Sequence, residues 1–306
     1  MAVVVAGYTG LVGSAIFAEL RNRNIEAIGI NSKVVNLLDR KSTFDFLHDL
    51  KPEAVIDAAA VVGGIGANNT LPVDFLSKNL QIQTNLMDAS HHAGVERFVF
   101  LGSSCIYPRD CEQPIKEEFL MTGPLERTNS AYAVAKIAGI ELIKSYRKQY
   151  SHRWISLMPT NMYGPNDNFD LESSHVLPAL INRFVTAVDE RQQKVTLWGT
   201  GKPRREFLHS KDLASAVLVA LEKYDDESHL NVGTGEDISI SNLAQMVSRS
   251  SGFSGQIAWD SSKPDGTPRK VLDVSRMKSL GWEPKVTLAQ GIDETLAWFR
   301  ANQSKV

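Results

Sequence analysis

Tyr132 and Lys136 stand four residues apart, a spacing that on a helix puts a phenol and an ammonium on one face. A neighbouring ammonium favours phenolate, so the pair predicts a tyrosine pKa below its reference of about 10 and a side chain able to exchange a proton with a carbonyl. Gly102-Ser103-Ser104-Cys105 follows an apolar run and supplies a hydroxyl for the same carbonyl oxygen. Gly7-Tyr8-Thr9-Gly10-Leu11-Val12-Gly13 lies between a β-branched run and a helical period, the context of a dinucleotide-binding turn, with the spacing GxxGxxG. Its glycines let backbone approach a pyrophosphate, whose charge then rests on a helix N-terminus. The second apolar run ends in Ile30-Asn31-Ser32-Lys33. No carboxylate there would repel a 2′-phosphate and Lys33 is placed to meet one, so NADP (as NADPH) is expected over NAD.

Groups so far apart in the chain meet only if an ordered scaffold brings them to one edge. Short β-branched runs at 3–6, 26–30, 54–58, 97–101 and 154–158 alternate with helical periods at 11–22, 42–50, 73–92 and 129–149. That rhythm predicts an α/β fold, a Rossmann-type doubly wound parallel sheet with ligands at the carboxyl ends of its strands. After Tyr163-Gly164-Pro165 the pattern loosens, then gives helices near 176–190, 211–223, 239–250 and 288–300 and strands at 195–198 and 230–232. The expectation is a dinucleotide-binding domain over 1–165, rejoined by about 207–235, and a smaller, discontinuous α/β substrate-binding lobe over 166–206 and 236–306.

Composition narrows the partners. The 33 basic and 35 acidic residues leave a formal charge of −2, and no run of five basic residues offers a polyanion a landing site, so neither nucleic acid nor an anionic membrane is expected. No 18 apolar residues run together to span a bilayer, and the apolar start has no basic n-region and stops at Gly7, unlike a signal peptide. Cys105 and Cys111 are too few for a disulfide framework, which suits a reducing cytoplasm. Neither they nor His48, His91, His92, His152, His209 and His229 show metal-ligand spacing, and no metal is expected.

Longer stretches are more specific than any of these motifs. They are Ala58-Ala59-Ala60 with Val62-Gly63-Gly64-Ile65 and Ala67-Asn68-Asn69, and Leu101 through Pro108. They continue with Tyr132 through Gly139, Met158-Pro159-Thr160-Asn161, Asp167-Asn168-Phe169, Arg205-Glu206-Phe207-Leu208-His209 and Lys263 through Lys270. With them nearly the whole chain resembles the extended short-chain dehydrogenase/reductase superfamily, and within it the nucleotide-sugar branch that converts GDP-4-keto-6-deoxymannose to GDP-fucose by 3,5-epimerisation and 4-reduction.

The resemblance implies a role for each matching position. Ser103, Tyr132 and Lys136 would be the reductase triad, with Tyr132 donating to the C4 oxygen as the nicotinamide delivers hydride. Cys105 and His175 would be the epimerase acid/base pair at C3 and C5. The turn of Gly7, Tyr8, Thr9, Gly10, Leu11, Val12 and Gly13, together with Leu101, Gly102, Ser103, Ser104, Lys136, Pro159, Thr160, Asn161, Met162 and His175, would contact the cofactor. Arg183, Trp198, Arg205 and Asp265 would hold the GDP-sugar. Family members often carry basic residues where Thr9 and Val61 stand. Cys111 matches no role.

The chemistry makes sense without the family. A C4 ketone acidifies the protons on its neighbouring carbons, the charge is delocalised onto oxygen, and Ser103 and Tyr132 would stabilise it there. A thiol and an imidazole can exchange protons on either face of the ring at neutral pH. The competing enzyme readings are a 4-epimerase or 4,6-dehydratase; dehydratases of this group place an acid beside the triad serine, where this chain reads Ser-Ser-Cys. A non-catalytic dinucleotide sensor would keep residues 7–13 and lose the reactive side chains. The resemblance also implies a homodimer through the helices near 73–92 and 129–149, with Leu76, Leu80, Met87, Ile137, Ile140 and Ile143 supplying part of an apolar stripe.

Overall fold

Apolar runs such as 2–6 and 54–56 form strands covered on both faces, which removes the polar alternation of a half-exposed sheet. In the computed structural model, which describes residues 2–263 and 265–303, six of them make one parallel sheet. From edge to edge it runs Leu230–Val232, Ile155–Pro159, Arg97–Leu101, Ala54–Asp57, Ala2–Ala6 and Glu26–Ile30. The strand order reverses between Ala2–Ala6 and Ala54–Asp57, so a crevice opens at their carboxyl ends, where Gly7 and Ala58 follow.

Strand alternation divides the core. Val4, Val55, Phe98 and Phe100 point to one face and pack with Leu86 and Met87 of helix Asn79–His92 and with Ile140 and Ile143 of helix Ser130–Tyr150. Val3, Val5, Ile56 and Val99 point to the other and pack with Ile16 and Leu20 of helix Leu11–Asn22 and with Leu213 and Val217 of helix Ser210–Lys223. A separate core gathers Phe169, Ile181 and Phe184 with Leu197, Leu243, Val247 and Phe299. The chain crosses between these cores at Asn161–Tyr163, which pairs in parallel with Phe207–His209.

Three local features differ from expectation. The helix anticipated over 73–92 opens with a π-helical turn, Asp74–Lys78, before Asn79–His92. Asn79 accounts for it: its amide donates to Phe75 O at 2.7 Å and to Val61 O at 3.0 Å while accepting from Val61 N, pinning the preceding loop to the turn. The strand expected at 154–158 is Ile155–Pro159, because Trp154 is buried beneath it with its Nε1 donating to Val95 O. The dimer stripe is the third: Met87, Ile140 and Ile143 lie wholly within the chain's own core and cannot face a partner. Val73, 74% exposed, Val134 and Tyr150 are the large apolar side chains these helices present to solvent among the described residues, beside half-buried Leu76, Leu80 and Ile137.

Candidate active site

The glycine turn is a cradle in which each glycine is required for a different reason. A Cβ on Gly7, whose φ is +76°, would meet Ala58 O at 2.7 Å, and one on Gly13 would meet Gly7 O at 2.1 Å, so these two let strand and helix close up. At Gly10 the nearest atom is 3.6 Å away, which leaves its outer side open. Gly10 is also the N-cap of helix Leu11–Asn22, with no side chain capping it and no acid in the first turn, so the N–H groups there are free for an anion. This fits a dinucleotide pyrophosphate. Tyr8 serves packing, its ring lying on Gly29 and 5.3 Å from Phe17, while Thr9 is exposed. Lys33 projects from a turn whose amides are capped by Asn31 Oδ1.

The serine turn follows strand Arg97–Leu101. Ser103 caps a 3-10 turn, Ser104–Ile106, by accepting from Cys105 N at 3.2 Å, while Ser104 is buried in it. A Cβ on Gly102 would meet the end of the Met158 side chain, which would have to shift. Ser103 lies near enough to the Tyr132 phenol to favour its charged form. Lys136, 3% exposed, donates to Leu101 O at 3.0 Å with its Nζ 4.8 Å from the Phe100 ring centre and 5.8 Å from that of Tyr132.

This geometry corrects the expected acidity of Tyr132. Burial first, then the negative potential of Cys105 and Asp57, pushes the phenol well above its ordinary value, with Ser103 only partly opposing them. Lys136 aims at a backbone carbonyl and not at the phenol oxygen. Tyr132 is therefore held neutral, as a proton donor must be.

Cys105 lies beside this group. Asn129, the N-cap of helix Ser130–Tyr150, donates Nδ2 to Cys105 Sγ at 3.4 Å. His175 stands at the N-cap of helix Val176–Asp189 with no side-chain hydrogen bond capping it. Gly64 N donates to Ser173 O at 2.7 Å, Gly63 abuts Phe75, and the Phe75 ring meets that of Tyr132 edge-on at 6.3 Å. The histidine is thus tied to the tyrosine through one chain of contacts. His175 is exposed, yet desolvation by the surrounding protein lowers its pKa.

Of the expected sugar-nucleotide residues, three converge. Arg205 donates to Thr267 O at 2.6 Å and feels both Cys105 and Asp265. Asp265 accepts from Thr200 N and Oγ1, two residues past Trp198, which is 69% exposed with the Lys263 ammonium 5.8 Å from its ring centre. Pro264 of the same stretch lies outside the described residues. Arg183 sits half-buried on helix Val176–Asp189, and no contact joins it to the other three among the described residues. In the 159–162 stretch, Thr160 and Asn161 bond Glu206 O, so their side chains fasten the junction of the cores. The sequence reading missed Asn129 and Phe75, which carry no spacing signal, and Asp57, which reads as the end of a strand.

Comparison with known proteins shows the family. The family model described as "NAD dependent epimerase/dehydratase family" matches residues 3–233. A probable GDP-L-fucose synthase of Oryza sativa subsp. japonica is 50% identical over 98% of this chain and 92% of its own, and the GDP-L-fucose synthase of Escherichia coli K12 is 45% identical over 99% and 98%. The structure of a GDP-L-fucose synthetase from Naegleria fowleri bound to NADP superposes with a TM-score of 0.92 at 29% identity, covering 100% of this chain and 95% of that one. The chain belongs to the NAD dependent epimerase/dehydratase family, among the extended short-chain dehydrogenase/reductases, on its GDP-L-fucose synthase branch.

Proposed function

We propose that the chain converts GDP-4-keto-6-deoxy-D-mannose to GDP-L-fucose by 3,5-epimerisation and NADPH-dependent 4-reduction. What supports this reading is the contact of Asn129 Nδ2 with Cys105 Sγ, which seats the thiol at the N-terminus of the helix that carries Tyr132. NADPH, when bound, supplies the hydride that reduces the C4 ketone. The glycine turn and the free N-terminus of helix Leu11–Asn22 would hold its pyrophosphate, and Lys33 the 2′-phosphate.

The chain's own residues do the rest. Ser103 and Tyr132 hydrogen-bond the C4 oxygen, which makes the protons at C3 and C5 removable by stabilising the enolate. Cys105 and His175 exchange those protons, with Asn129 supporting charge at the sulfur. Tyr132, neutral because it is buried, then gives its proton to the C4 oxygen as that oxygen becomes an alkoxide. Arg205, Asp265, Trp198 and Arg183 would hold the GDP moiety, the exposed indole offering a face to the base. The test is incubation with GDP-4-keto-6-deoxymannose and NADPH and identification of the sugar; GDP-L-fucose is expected, and a product unchanged at C3 and C5 refutes the epimerase half.

The same reading extends to a homodimer, supported by exposed Val73 and Val134 on the helices that flank the site, and to a reducing cytoplasmic setting, supported by two unpaired cysteines. It also divides the chain into a dinucleotide-binding domain and a substrate lobe built on the third core, so that the cleft lies between them.

A further inference from the structure

Asp57 ends the third strand of the sheet and is 1% exposed. Side chains alternate along a strand, so Asp57 shares a face with Val55 and, in register, with Phe100 of the neighbouring strand. That face packs against helix Ser130–Tyr150, and Phe100 lies under the Lys136 ammonium. Asp57 Oδ1 accepts from Ala59 N at 3.1 Å, but its Oδ2 is buried with no hydrogen-bond partner among the described residues. A buried carboxylate oxygen left unpaired is unfavourable, and such groups persist where function needs them. Above it Lys136 uses one of its three N–H donors, on Leu101 O.

We propose that Asp57 is a positioning residue for the reduction: its carboxylate, set on the sheet face beneath the Tyr132–Lys136 helix, keeps Lys136 charged and thereby sets the alkaline limit of ketone reduction. This rests on the reductase reading of Tyr132 and Lys136 given above. No hydrogen bond or ion-pair contact joins Asp57 to Lys136 among the described residues, so the coupling acts through the low-dielectric interior. Of the titratable groups on the helix, Lys136 acts on this carboxylate and the carboxylate acts on Tyr132. The flanking strands bring apolar Ala6 and Phe100, and Cys105 reaches Tyr132 from the serine turn. Burial lowers the pKa of Lys136, and Asp57 is the neighbour that opposes it. Burial likewise raises that of Asp57, to about 6, so the carboxylate is present only above that pH.

The experiment compares wild type with Asp57→Asn and Asp57→Ser, following NADPH consumption in single turnover against pH with the ketosugar bound. Below about pH 6, where Asp57 is itself protonated, the three profiles should coincide. Above it the variants should lose activity at lower pH than wild type, by about tenfold at a fixed alkaline pH for each unit of displacement. Solvent deuterium exchange at C3 and C5 should stay within about twofold of wild type, since Asp57 is not part of that proton transfer. An unmoved alkaline limb in both variants, or an equal loss at every pH, overturns the proposal. If neither variant folds, carbon-13 carboxyl titration of wild-type Asp57 decides: ionisation near pH 6 is expected, and a carboxyl still ionised at pH 4 overturns the assignment. Failure of wild type to consume NADPH at any pH would instead remove the reductase reading beneath it.

Discussion

Gly10 and Gly13 stand three residues apart in one turn, yet alanine at each should fail in a different way. At Gly13 the new Cβ would lie 2.1 Å from Gly7 O, 2.6 Å from Gly7 C and 2.9 Å from Tyr8 Cα. All three are backbone atoms, so no side chain can swing aside and the strand must part from the helix. Overpacking of this kind costs about 1–3 kcal/mol, and at about 2–4 °C per kcal/mol in a large domain Tm should fall by about 2–12 °C. At Gly10 the methyl meets nothing closer than 3.6 Å, so Gly10→Ala should keep Tm within about 1 °C. It would, however, stand over the free N–H groups where a pyrophosphate must approach, and weakening of NADPH binding by at least about tenfold, or 1.4 kcal/mol, is expected. Thermal denaturation and fluorescence titration with NADPH read the two effects separately. A Gly13→Ala protein with wild-type Tm, or a Gly10→Ala protein that binds NADPH normally, refutes this division of labour.

Lys33→Asp should reverse or abolish the preference for NADPH over NADH; wild-type protein with equal or better kcat/KM for NADH would contradict the role given to this turn. Asn129→Ala removes the Nδ2–Sγ contact, and because a hydrogen bond to a charged group contributes about 1.5–3 kcal/mol, deuterium entry at C3 and C5 should slow about 10- to 100-fold while NADPH consumption changes less. Light scattering should report a dimer at micromolar concentration, and Val134→Glu should shift it to monomer; a wild-type monomer would rule the interface out.

Much of this site is legible in the chain because its signals are local. A strand buried on both faces reads as a continuous apolar run, and a strand, three spaced glycines and a helical period announce a phosphate-binding turn without tertiary information. What depends on distant partners is not legible. Strands Arg204–Arg205, Ile238–Ser239 and Arg269–Lys270 are each two residues long, and Asp237 joins the first and third by pairing with both Arg204 and Arg269. The spacing of Tyr132 and Lys136 is visible, but the sign of the tyrosine's shift is not: that depends on burial, and on the Leu101 carbonyl that takes the ammonium. The Asn129–Cys105 contact spans 24 positions, and the π-helical turn exists because Asn79 reaches back to Val61.

The central claim is that one cleft runs two chemistries on separate side chains, and the paired variants Cys105→Ser and Tyr132→Phe test it most directly. Cys105→Ser exchanges a thiol for a hydroxyl that does not ionise near neutral pH, so proton exchange at C3 and C5 should fall by about 10²–10⁴-fold. Ser103, Tyr132 and Lys136 remain, so NADPH should still be consumed, giving a 6-deoxy sugar of the unepimerised configuration. Tyr132→Phe should do the reverse in part: NADPH consumption should fall by a comparable factor, while deuterium still enters from solvent, slowed because one of the two donors to the enolate oxygen is gone. Mass spectrometry of the sugar alongside the absorbance of reduced nicotinamide measures both in one reaction. Correctly epimerised product from Cys105→Ser at the wild-type rate would contradict the account, because the proton at C3 or C5 would then be moved by a residue other than the one this cleft places beside Tyr132.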